Sequence, residues 1–388
     1  MTIQHTHVTR VLALAAAFAT LLTGAVLGRQ DRIDFAKAQQ IRQRQLKGES
    51  LSDEERAYLE KAKAAFQKNQ GAQAKVAALA PKSSWGLTPL TDMTKEDRYQ
   101  GQDGGLYGEG RNQPPEAHEQ AALRAAREIV PRGPDGSPSP HGKVVVVSIG
   151  MSNTTQEFQA FQRLAREDDT RHPSVVLIDG AQGGMEASAW ADPESVKRMG
   201  RVDPWVTLAS RLRAANNSPE QVQVVWLKQA RANPGALGTF PHHAERLRDD
   251  VAVCLRRLKS IYPNLRIAYL SSRIYAGNAT TPLNPEPFAY EGGFAMRWLI
   301  QDQVAGRGDL NPNADTGAVK APLLLWGPYL WADGTTGRKH DDLVWSGEDF
   351  ANDGTHPSAN GQRKVAKLLL DFVHQDPTAK LWYLRQKD

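Results

Sequence analysis

The chain has 388 residues, of which 40% are hydrophobic and 23% are charged, and this usage is typical of a folded globular protein rather than a disordered one. Its 48 Lys and Arg residues are mixed with 43 Asp and Glu residues and form no dense basic block, so the charge pattern argues against nucleic acid as a partner. The single cysteine, Cys254, excludes an intrachain disulfide and any site built on paired cysteines.

The N-terminal segment is apolar from just after Arg10 to about Gly28. A positive flank, an apolar stretch and small residues near its end are the pattern of a secretory signal peptide, which we predict over 1–29. The segment is also close to the length that spans a bilayer, so an uncleaved anchor is the alternative. We therefore expect a periplasmic or secreted protein, with membrane contact only if this segment stays uncleaved.

Two regions precede the regular part of the chain. Residues 30–80 are rich in Ala, Gln, Lys, Arg and Glu, and they predict a small accessory hairpin of two helices. The second helix begins at a capping sequence, in which Ser52 is followed three residues later by Glu55. Residues 81–142 are rich in Gly, Pro, Asp and Asn and predict a loop-rich connection that contains one helix, over 116–129.

From residue 143 onward, short apolar runs alternate with helix-like segments. The runs are 143–149, 174–178, 222–227, 265–270 and 322–326. Apolar strands that alternate with helices indicate a parallel sheet covered on both faces. We therefore predict that residues 143–388 form a flavodoxin-like, three-layer α/β/α domain around a central five-stranded parallel sheet. Ligands bind at the carboxyl ends of the strands in such sheets, so the residues after each run are candidates for chemistry.

Polar or flexible residues follow the first three runs. Ser152 follows the first run at the start of a helix, where its hydroxyl can act as a nucleophile or simply cap the helix. Gly183 and Gly184 follow the second run, and they form either an ordinary tight turn or a close approach of backbone N–H groups to a ligand. Gln229 and Asn233 follow the third run, and their amides can bind an oxyanion or water.

Asp353 and His356 lie three residues apart before the last predicted helix, over 357–372. A carboxylate at this spacing can orient the imidazole so that the second ring nitrogen faces a nucleophile. Two alternatives stay open, because Asp353 can cap the helix and the pair can serve as metal ligands. We expect neither a metal nor a cofactor, since further ligands are not evident from the spacing.

The order of these motifs resembles the SGNH (GDSL-like) hydrolase superfamily, whose three-layer α/β/α members hydrolyse esters, often on acylated carbohydrates or lipids. Residues 150–153 and 181–184 resemble the Gly-x-Ser-Asn and Ala-x-Gly-Gly blocks of its sialate and xylan acetylesterase branch. Residues 226–229 are loosely similar to that branch's third block, and 353–357 match the Asp-x-x-His block. This resemblance covers roughly residues 143–373, and the stretch from Lys143 to the C-terminus also resembles a group of exported bacterial proteins. It departs from the superfamily at Met151, where Asp is frequent, and in lacking the third-block Gly-x-Asn-Asp.

The resemblance implies a serine esterase that forms an acyl-enzyme. Ser152 would be the nucleophile, His356 the general base and Asp353 its partner. The oxyanion hole would combine the backbone N–H groups of Ser152 and of Gly183 or Gly184 with the side chain of Gln229 or Asn233. Water would release the acyl group, so the resemblance implies no cofactor.

The predicted substrate is an acyl ester, with acetyl favoured, on a small molecule or a polysaccharide. Residues near the strand ends carry amide, cationic or aromatic side chains suited to sugar rings, and we predict these as substrate-binding: Asn153, Arg273, Tyr275, Tyr329 and Trp331. The aromatic residues alternatively pack the long loops against the body. Two other functions stay open: a non-catalytic carbohydrate-binding protein on the same scaffold, and an envelope-interaction protein whose N-terminal helices bind the partner.

Overall fold

The computed structural model describes residues 82–385 without a gap, residues 51–62, and residues 38, 41 and 44. The predicted signal peptide over 1–29 and most of the predicted hairpin over 30–80 lie outside the described residues. The chain forms two compact units, which divide between residues 79 and 80.

The first unit contains a helix over 53–62. Its start is the predicted capping box, because Ser52 Oγ accepts the N–H of Glu55 at 3.2 Å and Glu55 Oε2 accepts the N–H of Ser52 at 3.0 Å. Leu59 and Ala62 are buried one helical turn apart and pack in a small cluster with Leu51. This part of the hairpin therefore buries an apolar face of its own.

A five-stranded, wholly parallel sheet lies at the centre of the second unit, and this confirms the predicted fold class. The strands are β1 (Val144–Gly150), β2 (Val175–Ile178), β3 (Val222–Lys228), β4 (Ile267–Ser271) and β5 (Leu323–Trp326). Their spatial order is β2-β1-β3-β4-β5. Every residue of β1, β3, β4 and β5 is buried, which is why these strands are continuous apolar runs in the sequence. The direction of winding changes between β1 and β3, so their carboxyl ends form the crevice where such folds bind ligands.

Helices cover both faces of the sheet. They are α1 (Glu116–Arg127), α2 (Ser152–Glu167), α3 (Ala187–Ala191), α4 (Pro193–Arg198), α5 (Pro204–Ala214), α6 (His242–Ile261), α7 (Phe288–Val304), α8 (Ala359–Gln375) and α9 (Ala379–Tyr383). Helices α2, α8, α9 and α1 pack in sequence as one layer, while α3, α5, α6 and α7 form the other. Within the described ranges, no helix has both the length and the apolar character needed to cross a bilayer.

The predicted boundary at residue 142 does not separate two bodies, because residues 82–142 pack into the same compact unit as the sheet. Leu90 is completely buried in the main core. The indole Nε1 of Trp326 donates to the carbonyl of Leu106 at 2.7 Å, and His118 Nε2 lies 2.8 Å from the carbonyl of Leu324. The buried apolar residues of this segment stand singly between turns and follow no helical or strand period. The sequence therefore did not indicate that the segment completes the core.

Candidate active site

Ser152, His356 and Asp353 meet at the carboxyl end of β1. Ser152 Oγ lies 2.6 Å from His356 Nε2, and His356 Nδ1 lies 2.6 Å from Asp353 Oδ2. A carboxylate at Nδ1 favours the tautomer that carries its proton there, which leaves Nε2 as the acceptor for the serine proton. The structure thus brings together the three side chains that the sequence predicted as a triad.

Ser152 is the first residue of α2, directly after the strand β1 and the linking residue Met151. The start of the helix is held to β3, because Thr154 Oγ1 donates to the carbonyl of Lys228 at 3.0 Å. Position 150 requires glycine, since a Cβ there would lie 2.5 Å from that same carbonyl oxygen. The helix-cap alternative for Ser152 is not observed, because Met151 occupies the cap position and the serine hydroxyl faces His356.

A tight turn presents Asp353 to His356. Asp353 Oδ1 accepts the backbone N–H groups of Thr355 and His356, each at 3.0 Å. Burial alone would raise the pKa of Asp353, but the hydrogen bonds from the His356 side chain and from the two N–H groups lower this pKa to about 2. Asp353 is therefore ionised over the whole pH range in which enzymes usually work. Among the described residues, no three His, Cys, Asp or Glu side chains form a group that could hold a metal ion.

The loop after β4 supports this turn from behind. The N–H of Thr280 donates to the carbonyl of Asp353 at 3.0 Å, and Arg273 Nη2 donates to the carbonyl of Thr355 at 3.1 Å. Gly354 has a φ of +62°, and a Cβ there would lie only 1.7 Å from the carbonyl oxygen of Asn278. The Asp-x-x-His turn therefore lies between α8 and the loop after β4, and the contacts with that loop hold it in place.

Two backbone N–H groups near the Ser152 hydroxyl, those of Ser152 and Gly183, are available as oxyanion donors. A Cβ built on Gly183 would lie 3.9 Å from the Cβ of Ser152, so the glycine turn and the serine are neighbours. The turn is closed by the N–H of Met185, which donates to the carbonyl of Gln182 at 3.1 Å. Within residues 82–385, the N–H groups of Ser152 and Gly183 donate to no carbonyl or side chain. They can therefore stabilise negative charge on a bound oxygen.

The predicted amide donors differ in their surroundings. Gln229 is 1% exposed, and its Nε2 donates to the carbonyl of Met185 at 3.4 Å. Asn233 has a left-handed backbone (φ 52°), is partly exposed, and its side chain makes no hydrogen bond within the described part of the second unit. Asn233 is therefore the freer of the two donors. Asn153 is buried, its Oδ1 accepts the N–H of Thr154, and its Nδ2 has no partner in the same part of the chain.

The other predicted substrate-binding residues are buried, and the polar atoms of the three aromatic ones make hydrogen bonds inside the protein. Tyr275 Oη donates to the carbonyl of Lys82 at 2.6 Å, and Tyr329 Oη accepts the N–H of Leu90 at 3.3 Å. The indole of Trp331 donates to the buried Glu286 carboxylate at 2.7 Å. Arg273 is 3% exposed. The structure therefore does not bring these four side chains to an exposed surface, and the aromatic rings pack the long loops as the alternative interpretation predicts.

Sequence reasoning missed a buried ion pair between β3 and the helix that begins at Ser152. Lys228 Nζ, at the end of β3, lies 2.6 and 2.5 Å from the two carboxylate oxygens of Glu157 on α2. Both side chains are completely buried. Burial lowers the pKa of Lys228, and the neighbouring carboxylate opposes this shift. A lysine at the end of an otherwise apolar run was the signal that could have revealed the pair.

The second missed residue is Arg201, which contacts the glycine turn. Its Nη2 donates to the carbonyl of Gly183 at 3.0 Å and its Nη1 donates to the carbonyl of Gly184 at 3.1 Å. Arg201 lies in the loop between α4 and α5, outside every strand-end motif, so no pattern in the sequence pointed to it.

Comparisons with known proteins leave the function to be argued from this geometry. No protein-family model matches the chain, and no curated protein matches it significantly.

Proposed function

We propose that the protein is a serine-dependent carboxylic ester hydrolase of the SGNH type. The observation that carries this proposal is the continuous hydrogen-bonded series from Ser152 through His356 to Asp353, with 2.6 Å at both contacts. Its position at the switch point of a parallel sheet supports the proposal, because ligands reach this crevice from solvent. His356 and Asp353 are partly exposed, which leaves the site open to a substrate.

In the proposed reaction, Ser152 Oγ attacks the ester carbonyl carbon while His356 Nε2 takes the serine proton. The carbonyl oxygen becomes an oxyanion, which accepts hydrogen bonds from the N–H groups of Ser152 and Gly183. Collapse of this intermediate breaks the bond to the alcohol oxygen, and His356 returns the proton to that oxygen. Water then attacks the acyl-enzyme, with His356 again as the base, and the carboxylic acid leaves.

The ionised Asp353 assists both steps in this mechanism. Its negative charge stabilises the imidazolium that forms when His356 takes a proton. Since its pKa is lowered to about 2, the carboxylate is ionised throughout the pH range in which enzymes usually work.

A serine-directed probe tests the proposal. A fluorophosphonate should label the wild-type protein, and p-nitrophenyl acetate should be hydrolysed. The variant Ser152→Ala should lose both properties, whereas Ser210→Ala, on the exposed face of α5, should keep them. A folded wild-type protein that shows neither labelling nor hydrolysis would contradict the proposal and favour the non-catalytic, carbohydrate-binding alternative.

We further propose an acetyl ester on a carbohydrate as the substrate and a location outside the cytoplasm. The similarity of the motif blocks to the sialate and xylan acetylesterase branch supports the first statement, and the apolar segment within 1–29 supports the second. Release of acetate from acetylated xylan or from an O-acetylated sialic acid tests the substrate. N-terminal sequencing of the protein from cell fractions tests export, and an intact N-terminus in the cytoplasm would contradict it.

A further inference from the structure

Arg201 joins the glycine turn to the loop before α5. Its two terminal nitrogens donate to two consecutive carbonyls, those of Gly183 and Gly184. A Cβ on Gly184 would lie 2.8 Å from Nη2, so the guanidinium packs directly against the turn. Gly184 has a φ of +70°, a conformation that glycine adopts without strain. The turn therefore depends on the left-handed backbone of Gly184 and on the side chain of Arg201, which comes from the loop before α5.

The guanidinium of Arg201 has no counter-ion in the described part of the second unit. No carboxylate of residues 82–385 lies within ion-pair distance of it, whereas nearby Lys197 and Arg198 pair with Glu194 and Asp192. Arg201 is also half-buried, and burial lowers the pKa of its guanidinium. An unpaired cation in this position costs free energy of desolvation, so its charge is not explained by stability alone.

The two hydrogen bonds act on the turn that carries the Gly183 N–H, one of the two candidate oxyanion donors. The carbonyl that accepts from Nη2 belongs to Gly183 itself, so a charged donor on that oxygen helps to fix the position of this residue and of its N–H. The guanidinium also lies 3.0 Å from the Gly183 carbonyl, so its positive charge is next to the turn that would bind the oxyanion. We infer that Arg201 is a positioning residue for the oxyanion site, holding the turn over 182–185 and favouring the charged intermediate. This inference rests on the proposed esterase function.

Steady-state kinetics on p-nitrophenyl acetate test the inference with three variants. Arg201→Ala should lower kcat about 10- to 100-fold and leave KM within about threefold, because the interaction grows in the transition state. Arg201→Lys should recover part of this loss, since it keeps the charge without the two-pronged geometry. Free guanidinium ion should partly rescue Arg201→Ala, which a purely structural defect would not allow. Arg198→Ala is the matched control, because Arg198 is exposed at the end of α4 and pairs with Asp192, and it should match the wild type.

Hydrogen exchange separates this inference from the proposed function. The amide of Met185, which closes the turn on Gln182, should exchange faster in Arg201→Ala than in the wild type or in Arg198→Ala. An active wild type with unchanged kcat in Arg201→Ala would overturn the inference and leave the esterase proposal intact. An inactive wild type would overturn the esterase proposal, and unchanged exchange at Met185 would then overturn the turn-holding role separately.

Discussion

At the scale of single residues, the Asp353 carboxylate has a pKa that is set by the groups around it. Burial disfavours its ionised form, but hydrogen bonds from the His356 ring and from two backbone N–H groups outweigh this and lower its pKa to about 2. A carboxylate with a lowered pKa stabilises the folded state above its unfolded pKa, near 3.8. This contribution is lost as the pH falls towards 2.

The exchange Asp353→Asn should lower kcat/KM by about 10³-fold or more, because the amide cannot hold His356 in the tautomer that accepts the serine proton. The loss should be similar between about pH 4 and pH 8, since Asp353 is ionised throughout this range. The pH dependence of kcat/KM measures this. Asp342→Asn, at an exposed position with positive φ that Asn tolerates, is the control. An activity that recovers at high pH would show that the carboxylate is dispensable.

Gly354→Ala should reduce both stability and activity. A Cβ there meets the carbonyl of Asn278 at 1.7 Å and a backbone with φ +62°, so the turn that carries Asp353 and His356 must shift. We expect a loss of about 2 kcal/mol or more in the free energy of unfolding, together with a lower kcat. Gly347→Ala, where a Cβ would meet nothing within 4 Å, should change stability by less than about 0.5 kcal/mol. Equal unfolding free energies for the two variants would contradict the steric argument.

At the scale of secondary-structure elements, the Lys228–Glu157 pair joins the end of β3 to the helix that begins at Ser152. Both charges are completely buried, and they lie within 2.6 Å of each other. Breaking one member leaves the other charge buried without a partner, whereas replacing both by apolar residues removes the cost of burying them.

Glu157→Gln should therefore lower the free energy of unfolding by about 3–5 kcal/mol, as measured by chemical denaturation. The double variant Glu157→Leu with Lys228→Met has similar volume and no charge. It should be much closer to the wild type in stability. A double variant that is less stable than Glu157→Gln would contradict this. It would show that the ion pair stabilises the fold by more than the cost of burying its two charges.

The helix α7 lacks the sequence pattern from which helices are usually predicted. Twelve of its 17 residues are buried, including Glu291 and Arg297. A helix that is buried on nearly all sides has no polar face, so the amphipathic pattern on which sequence prediction depends is absent. The pair Gly292-Gly293 has low helix propensity, whereas in the structure Gly293 allows close packing against Leu90 and Tyr329. The helices α1 and α8 have one buried face each, and their predicted ranges, 116–129 and 357–372, lie within a few residues of their observed bounds.

At the scale of the whole molecule, residues 82–385 form one compact unit with a single large core. The segment before the sheet is part of that core, and it also binds the loop after β5, since Asp333 accepts the N–H groups of Trp85 and Gly86 at 2.7 and 2.8 Å. The compact unit that carries the candidate site therefore begins near residue 82 and not at residue 143.

A chain that begins at residue 82 should fold and keep kcat/KM on p-nitrophenyl acetate within about twofold, because its core and its triad are complete. A chain that begins at residue 143 should not fold, since it lacks Leu90, Leu106 and the contacts of Asp333. Thermal unfolding and kinetics of the two truncated proteins measure this. Loss of activity in the longer one would instead support a role for the N-terminal helices in the site.

The sequence by itself determined the parallel sheet, most of its helices and the three residues of the candidate triad. Strand and helix patterns are local, because burial on one or both faces imposes a period on neighbouring residues. The strand-end rule then places Ser152 at one edge of the sheet.

Only the tertiary structure decided which groups surround these residues. Arg201 contacts the glycine turn, and the Lys228–Glu157 pair joins β3 to α2, through contacts between separate segments. The burial of Tyr275 and Trp331 depends on how the long loops fold over the sheet. Such contacts leave no period in the sequence, because each depends on the closure of the whole core.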